Sequence, residues 1–401
     1  MRILVSCLQS LRRHDIPACG FWREYFLQGC REAGIEPLEV PGVDWAEGLT
    51  YREGTADLES WKNRTWEKTL SFVREEQSRG GVDFFLGYFY PQQVEVAAIK
   101  ELQRTGIPCV NFFCDNVREF RRVPKAYRPF DLHWVPEYEA LPMYRQARLP
   151  HIHAAMPCWI PKHLRVLPKK EEGPAVFIGS ADILRRNLFS EAIAAGADLA
   201  LHGKGWIQSS GEAAPFRAKK DGFLATQTAF LRRHGLHGVR SKIVDKLFPL
   251  PERGIPQSSV GHLLSPEDYV RVTKEAPVVL GASRVPSPAR SLRNPLKYSR
   301  LRDIEAPMFG ACYLTEHTEG LASLYNVGED VESFSSADEL ASKLKELMSD
   351  SEKRRRLRIA GQQRALSEHS VPATLAKIGF RLGSPLKPKS DPTTQNQTYR
   401  P

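Results

Sequence analysis

The chain has 401 residues, 41% hydrophobic and 26% charged, with a formal net charge of +10. That is too long for one ordinary core and suits two globular domains of about 150 to 200 residues each. No stretch approaches the roughly 18 apolar residues of a membrane span, and MRILVSCLQS turns polar too soon for a secretory leader, so a cytoplasmic chain is expected.

In chain order, 2–7 reads as a strand and 21–33 as a helix ended by Gly34, with Trp22, Phe26, Cys30 and Ala33 on one face. VDFFLG (82–87) reads as a buried strand, 92–104 as a helix stopped by Gly106, IPCVNFFC (107–114) as a strand and FDLHWV (130–135) as another. This alternation predicts an α/β fold with a parallel sheet covered on both faces. After the charged link 161–174 the pattern restarts, with strand PAVFIG, a helix over 181–195 and strand ADLALHG. Two Rossmann-like domains are therefore expected, 1–160 and 161–382, with an irregular insertion near 207–260. Ser336 with Glu339, and Ser349 with Glu352, have capping-box spacing, and Leu340, Leu344 and Leu347 form a stripe behind the first pair. Residues 383–401 have almost nothing to bury and read as a disordered tail, in which the sequon at Asn396 is accidental.

The seven cysteines, at 7, 19, 30, 109, 114, 158 and 312, include no CxxC pair. They read as reduced, mostly buried thiols rather than a disulfide framework or zinc cage. The positive charge favours anionic partners, whether phosphorylated small molecules, nucleic acid or an acidic membrane surface.

Several residues fall where chemistry is done in such folds. Gly179 and Ser180 join a strand to a helix, with Arg185 and Arg186 one turn later. Helix-start amides and an arginine could clamp a diphosphate there, and an ordinary turn with two solvated arginines fits the same residues. HGKGW (202–206) ends the next strand, where Gly203 either admits a ligand or serves a turn needing positive φ. Asp115, after the strand 107–114, and His14, after the first strand, are candidate general bases, although Asp115 equally suits a turn cap. EKRRRLR (352–358) reads as the solvated face of a capped helix, and His151 and His153 lack a third metal ligand.

The stretch RLRDIEAPMFGACYLTE (300–316) sets Glu305 behind a run of bases, Arg284, Arg290, Arg293, Lys297, Arg300 and Arg302. Residues 300–370 resemble the C-terminal signature of CgeB-like spore-maturation glycosyltransferases, relatives of the group 1 (family 4) enzymes. The features that match are Arg302, Glu305, Ala306, Gly310, Leu314-Thr315-Glu316, Gly320, Gly328-Glu329, the Ser336 helix and Gly361 through His369. FIGSADILRRNLFSEAIAAGADLALHGKGW (177–206) and VDFFLGYFYP through NFFCDN also resemble that family.

The resemblance implies the GT-B fold, two Rossmann-like domains facing across a cleft, the second holding a nucleotide sugar. Glu305 matches the second glutamate of the E-x7-E pattern, which accepts hydrogen bonds from ribose hydroxyls. Lys297 stands in place of the first glutamate, a departure from the pattern at the grip on the hexose that leaves both a retaining and an inverting outcome open. The expected activity moves a sugar from a nucleoside diphosphate donor to an acceptor that is a glycan, peptide or small molecule. Gly179, Ser180, Arg185, Arg186, Gly203, Glu305, Thr315 and Glu316 would hold the donor, and Asp115, His14, Lys297 and Arg302 would act in catalysis. No metal and no cofactor beyond the donor is expected, and peripheral contact with an anionic membrane is compatible with the charge. A nucleotide-sugar epimerase or hydrolase on the same fold is the rival enzyme. A nucleic-acid-binding protein is the third reading, against which the chain lacks interleaved aromatic and basic residues outside predicted cores.

Overall fold

The computed structural model describes residues 1–12, 14, 19–206, 223–287 and 290–383, without the side chains of 19–20, 223–230, 232–234 and 237. The expected tail beyond 383 and its sequon, and residues 207–222 of the expected insertion, lie outside the described residues. The chain divides into two compact units, one of residues 1–113, 125–134 and from 370 onward, the other of 114–124 and 135–369.

The first unit alternates β1 (Arg2–Ser6), α1 (Cys19–Glu32), β2 (Glu36–Leu38), α2 (Ala56–Gln77), β3 (Phe84–Tyr88), α3 (Val96–Arg104), β4 (Cys109–Phe112) and β5 (Leu132–Val135). These strands run parallel in the order β2-β1-β3-β4-β5, with Ile3 beside Phe84, Phe85 beside Cys109 and Val110 beside Leu132. The central strands are buried almost throughout, as helices on both faces require. On one face Phe26 of α1 packs against Phe112 and Trp134, with ring centroids 5.8 Å apart in each pair. Trp45, Trp66 and Phe89 cluster elsewhere in the core, Trp45 lying 5.2 Å from Trp66 and 4.8 Å from Phe89.

The helix α2 is absent from the sequence reading for a physical reason. Its buried stripe is Leu58, Trp61, Thr65, Trp66, Thr69, Val73 and Glu76, so three polar residues interrupt the apolar period. Thr69 satisfies its hydroxyl on the Thr65 carbonyl at 2.9 Å, which lets it sit inside. The helix Val371–Arg381 also returns to this unit instead of ending the second. Gly29 of α1 lies so close to it that a Cβ there would stand 2.4 Å from Val371 Cγ1. The division of the chain therefore differs from a single cut at 160.

The second unit contains α4 (Asn116–Glu119), α5 (Leu141–Ala147), β6 (His151–His153), β7 (Ala175–Ile178), α6 (Ile183–Ala194), β8 (Leu199–His202), α7 (Phe223–Leu247) and α8 (Pro266–Glu275). It continues with β9 (Val279–Leu280), β10 (Arg284–Val285), β11 (Leu296–Lys297), α9 (Arg302–Met308), β12 (Tyr313–Glu316), β13 (Glu332–Phe334), α10 (Ala337–Ser349) and α11 (Ser351–Glu368). Its five-stranded sheet is parallel in the order β13-β12-β9-β7-β8, and β10 and β11 form a separate antiparallel ribbon. Phe177, Phe189, Leu201, Trp206, Leu314 and Leu340 belong to its core.

Three sequence expectations change here. Residues 223–247 of the supposed insertion are helical, with non-helical backbone at Gly235 (φ 61°, ψ −165°), and that break weakens the periodicity. The cap of α11 is Asp350, whose carboxylate accepts from Lys353 N at 2.8 Å, whereas Ser349 ends α10. Arg354 and Arg358 are buried, not solvated. Spaced four apart, they share the inner face of α11 with Leu357 and Gly361. The other capping box forms as expected, Ser336 accepting from Glu339 N at 3.1 Å.

Candidate functional site

In the second unit the two glycine-bearing turns flagged in the sequence are one structure. Gly179 donates its N–H to the His202 carbonyl at 2.8 Å, and its own carbonyl accepts from Trp206 Nε1 at 2.8 Å. Gly203 has φ +138°, and a Cβ there would stand 2.3 Å from the Gly179 carbonyl oxygen. Gly203 thus serves the packing of one strand end against the other. The Gly179 amide is committed to that same junction and is not available to a phosphate. Gly203→Ala should cost roughly 2 kcal/mol through backbone strain and the clash. A urea melt checks this, and an unchanged midpoint would refute it.

Asp182 caps α6, accepting from Leu184 N at 2.9 Å and Arg185 N at 3.0 Å. One residue of helical rotation then separates the two arginines. Arg186 turns inward, where it donates to the carbonyls of Trp206, at 3.2 Å, and Gly205, and pairs with Glu252 at 2.9 Å. Its donors are spent on structure, which removes it from the expected clamp. Arg185 turns the other way and lines a cavity of about 210 Å³ together with Gly179, Arg300, Arg302, Asp303 and Glu305. Burial pushes the Arg185 pKa down. Asp182 opposes that shift, while Arg300 and Arg302 add to it, so the group resists holding three like charges together.

The walls of this cavity are braced from behind. Asp303 is buried and accepts four hydrogen bonds, from Ser299 Oγ (2.9 Å), Arg300 N (2.7 Å), Tyr313 OH (2.7 Å) and Thr315 Oγ1 (3.0 Å). These fix the start of α9, and they place Thr315 in the brace, away from the cavity lining. Arg302 donates to the Ile178 carbonyl at 3.0 Å and to Tyr269 OH at 2.7 Å, with its guanidinium 4.9 Å over the Tyr269 ring. Tyr269 OH in turn donates a hydrogen bond to the Glu305 carboxylate, which lies 4.0 Å from Arg302. Glu305 is therefore oriented by a phenol and a cation.

Glu316 is fully buried and belongs elsewhere. Arg284 holds it at 2.7 Å and Lys297 at 2.8 Å, with backbone amides of Ser283 and Arg284 at 3.2 Å. Burial alone would raise its pKa, but the hydrogen bonds and charge of Arg284, and then Lys297, leave it lowered. Glu316 and Lys297 thus anchor the β10–β11 ribbon. Lys297 lines a different, larger cavity of about 1070 Å³, with Arg240, Arg290, Glu139 and Glu319.

Asp115 sits at the start of α4 in the left-handed region (φ 68°) without capping the helix through its side chain. Its carboxylate accepts from Tyr298 OH at 2.6 Å, and that oxygen accepts from Arg300 Nη1 at 2.7 Å. Asp115 is thus linked to the cavity through Tyr298 and Arg300. Next to it, Asn116 Nδ2 donates to Glu137 at 2.6 Å. Burial pushes the Glu137 pKa up to about 8, against its hydrogen bond from Asn116. An acid whose folded pKa is raised stabilises the fold most below its unfolded value and loses that contribution as pH climbs toward about 8. Glu137→Gln should flatten this alkaline decline, read as urea midpoints against pH, and an unchanged slope would count against it.

In the first unit, His14 Nε2 lies 2.9 Å from Asp44, and both side chains are buried. Asp44 also accepts from Leu11 N at 3.0 Å and Glu47 N at 2.9 Å. These bonds, with that of His14 the strongest, outweigh burial and hold its pKa down. Six of the seven cysteines are described, and all six are buried and in no disulfide. Among the described residues no group of three His, Cys, Asp or Glu could hold a metal ion, and no helix is long and apolar enough to cross a membrane.

Of the cavity wall, sequence reasoning named Gly179, Arg185, Arg302 and Glu305 but not Arg300 or Asp303, nor Tyr269 behind it. Ser180, also named, is not part of the lining, and its carbonyl accepts from Arg185 Nη1 at 2.9 Å. Arg300 stood in the basic run. Tyr269 carries no sequence signal, because only the fold brings α8 beside α9.

Residues 185–378 match the family model described as glycosyl transferase-like. A comparison with curated proteins finds no match. Among solved structures, a glycosyltransferase from Rickettsia africae aligns at TM-score 0.55 and 12% identity, over 97% of this chain and 99% of that one. AviGT4, a glycosyltransferase involved in avilamycin A biosynthesis, aligns at TM-score 0.53 and 13% identity, over 95% and 96%. Anabaena Alr3699/HepE in complex with UDP aligns at TM-score 0.52 and 12% identity, over 96% and 100%. With two Rossmann-like parallel sheets, this family match and such neighbours, the chain is a glycosyltransferase of the GT-B fold.

Proposed function

We propose that the 210 Å³ cavity holds the ribose-diphosphate part of a nucleoside diphosphate sugar, and that the enzyme belongs to the CgeB-like branch of the group 1 glycosyltransferases. The observation that carries this is the convergence of Arg185, Arg300 and Arg302 beside one oriented carboxylate, Glu305. Three guanidiniums facing a common space repel one another until an anion enters, and the N–H groups they do not already use, together with their charge, suit phosphate oxygens. A carboxylate with about four lone-pair sites suits a vicinal diol. A cavity of this size takes part of a nucleotide, with the base outside it.

When the glycosidic bond breaks, negative charge grows on the leaving diphosphate. Arg185, Arg300 and Arg302 stabilise it there without a metal or further cofactor. Asp115 acts at one remove, through Tyr298, by orienting Arg300. The pair His14–Asp44 supplies the candidate base for the acceptor hydroxyl, a carboxylate fixing the imidazole as general-base work requires. Lys297, tied to Glu316, steadies the ribbon. The acceptor is a glycan, peptide or small molecule.

The test is a thermal-shift panel of UDP, GDP, ADP, CDP and TDP, alone and as sugar conjugates. Ligand at about 100 times its dissociation constant adds about 2.7 kcal/mol of apparent stability. Arg185→Ala should weaken the best ligand about 10- to 100-fold, the loss of one or two charge-assisted hydrogen bonds. Equal stabilisation of parent and variant would overturn the placement.

A further inference from the structure

Beyond the bend at Gly235, α7 carries its apolar residues on the wrong side for a surface helix. At about 100° per residue, Leu236, Ile243 and Leu247 fall within about 40° of one another. They are 78%, 52% and 66% exposed. Phe248, just past the helix end, is 59% exposed. The opposite side is the one tied down. Asp245, half a turn away, accepts from the Ser291 hydroxyl and from Leu292 N at 3.0 Å, and Arg293 donates to the Phe248 carbonyl at 3.1 Å. A helix of a globular protein normally buries its apolar stripe and wets its polar one. Here the polar side is the anchor and the apolar stripe faces out.

Within 236–248 the exposed charge has one sign. Arg240 lies at the edge of the stripe, where it also borders the larger cavity with Glu139 and Glu319, and Lys242 and Lys246 are exposed along the other flank. The only acid between 236 and 248 is Asp245, which is on the anchored side. An occupant must therefore offer an apolar layer beneath a negatively charged one. A bilayer with acidic headgroups does so, and a helix that cannot span it can still lie in its interface. With three apolar residues and Phe248, insertion alone is weak, so the cations decide the affinity.

We infer that the outer face of α7 docks flat on an anionic lipid surface, with Leu236, Ile243, Leu247 and Phe248 entering the boundary of headgroups and acyl chains while Arg240, Lys242 and Lys246 meet the phosphates. This does not rest on the donor assignment.

The experiment is co-sedimentation of the full chain with vesicles of phosphatidylcholine alone or with about a third phosphatidylglycerol, at low and high salt. At about fivefold per basic residue, three cations should raise partitioning on the order of 100-fold on the anionic vesicles, and high salt should remove most of that gain. Ile243→Glu with Leu247→Glu, and separately Arg240→Glu with Lys246→Glu, should each lower anionic-vesicle binding at least about tenfold. The melting temperature of each variant, with and without UDP, shows whether the fold survives. If the first pair fails to fold, the second pair and the salt series carry the test. Equal binding to neutral and anionic vesicles, or binding kept by both folded variants, would overturn the proposal. So would the absence of vesicle binding together with a dimer that Ile243→Glu dissolves, which would assign the stripe to a second copy of the chain.

Discussion

Replacing Glu305 by alanine should weaken nucleotide binding on the order of 100-fold, the loss of two charge-assisted hydrogen bonds at roughly 1.5 kcal/mol or more each. The geometry makes the effect specific. Tyr269 donates to the carboxylate and Arg302 lies 4.0 Å away, so the group is oriented before any ligand arrives and no reorganisation is needed on binding. Glu305→Gln keeps an acceptor oxygen but loses the charge, and its affinity should fall between those of the parent and the alanine variant. Tyr269→Phe leaves the carboxylate in place but releases it from its phenol, so it should cost about tenfold. Calorimetric titration with the nucleotide that stabilises the parent best reads all three. A Glu305→Ala dissociation constant within twofold of the parent would remove Glu305 from the site.

What the sequence reveals of this arrangement depends on whether the signal is local. The βαβ alternation, the turn at Gly179–Ser180 and the position of Glu305 are local, and each stands near where it was expected. The split of roles between Arg185 and Arg186 was not legible, because adjacent helical residues diverge by about 100° and only the packed partner of α6 decides which faces in. Gly203 showed its need for unusual backbone. The cause, a carbonyl 2.3 Å from where its Cβ would stand, comes from a strand 24 residues earlier in the chain. Thr315 and Glu316 lie in a matched string, yet both turn into the protein, one bracing Asp303 and the other neutralising Arg284 and Lys297. A recurring string identifies residues that matter without separating those that touch a ligand from those that hold its neighbours. α2 was invisible for a simpler reason, since threonines in its buried stripe do not register as apolar.

The same difficulty hid the second large effect, at Arg358. Among the five basic residues of EKRRRLR, solvation is the natural expectation, yet Arg358 is 4% exposed. Its guanidinium donates to the carbonyls of Lys274 at 3.0 Å, Gly310 at 2.8 Å and Ala276 at 2.6 Å, and to Glu171 at 3.1 Å. It thereby ties α11 to the end of α8, to the turn after α9 and to the link before β7. Arg358→Ala would leave three carbonyls and a carboxylate short of a donor in a buried place, a loss of about 3 to 5 kcal/mol. For a unit of this size that corresponds to a fall in melting temperature of roughly 10 °C. Lysine restores the charge but not the planar fork, and should recover less than half of the loss. Arg356→Ala, on the exposed side of the same helix, is the control and should change stability by less than about 0.5 kcal/mol. Because the Gly310 turn closes α9, the Arg358 variant should also bind nucleotide more weakly at temperatures well below its melt, as Glu305 and Arg302 lose their fixed start. If Arg358→Ala melts within a degree or so of the parent, the arginine is not the tie the geometry makes it, and the coupling between α11 and the cavity falls with it.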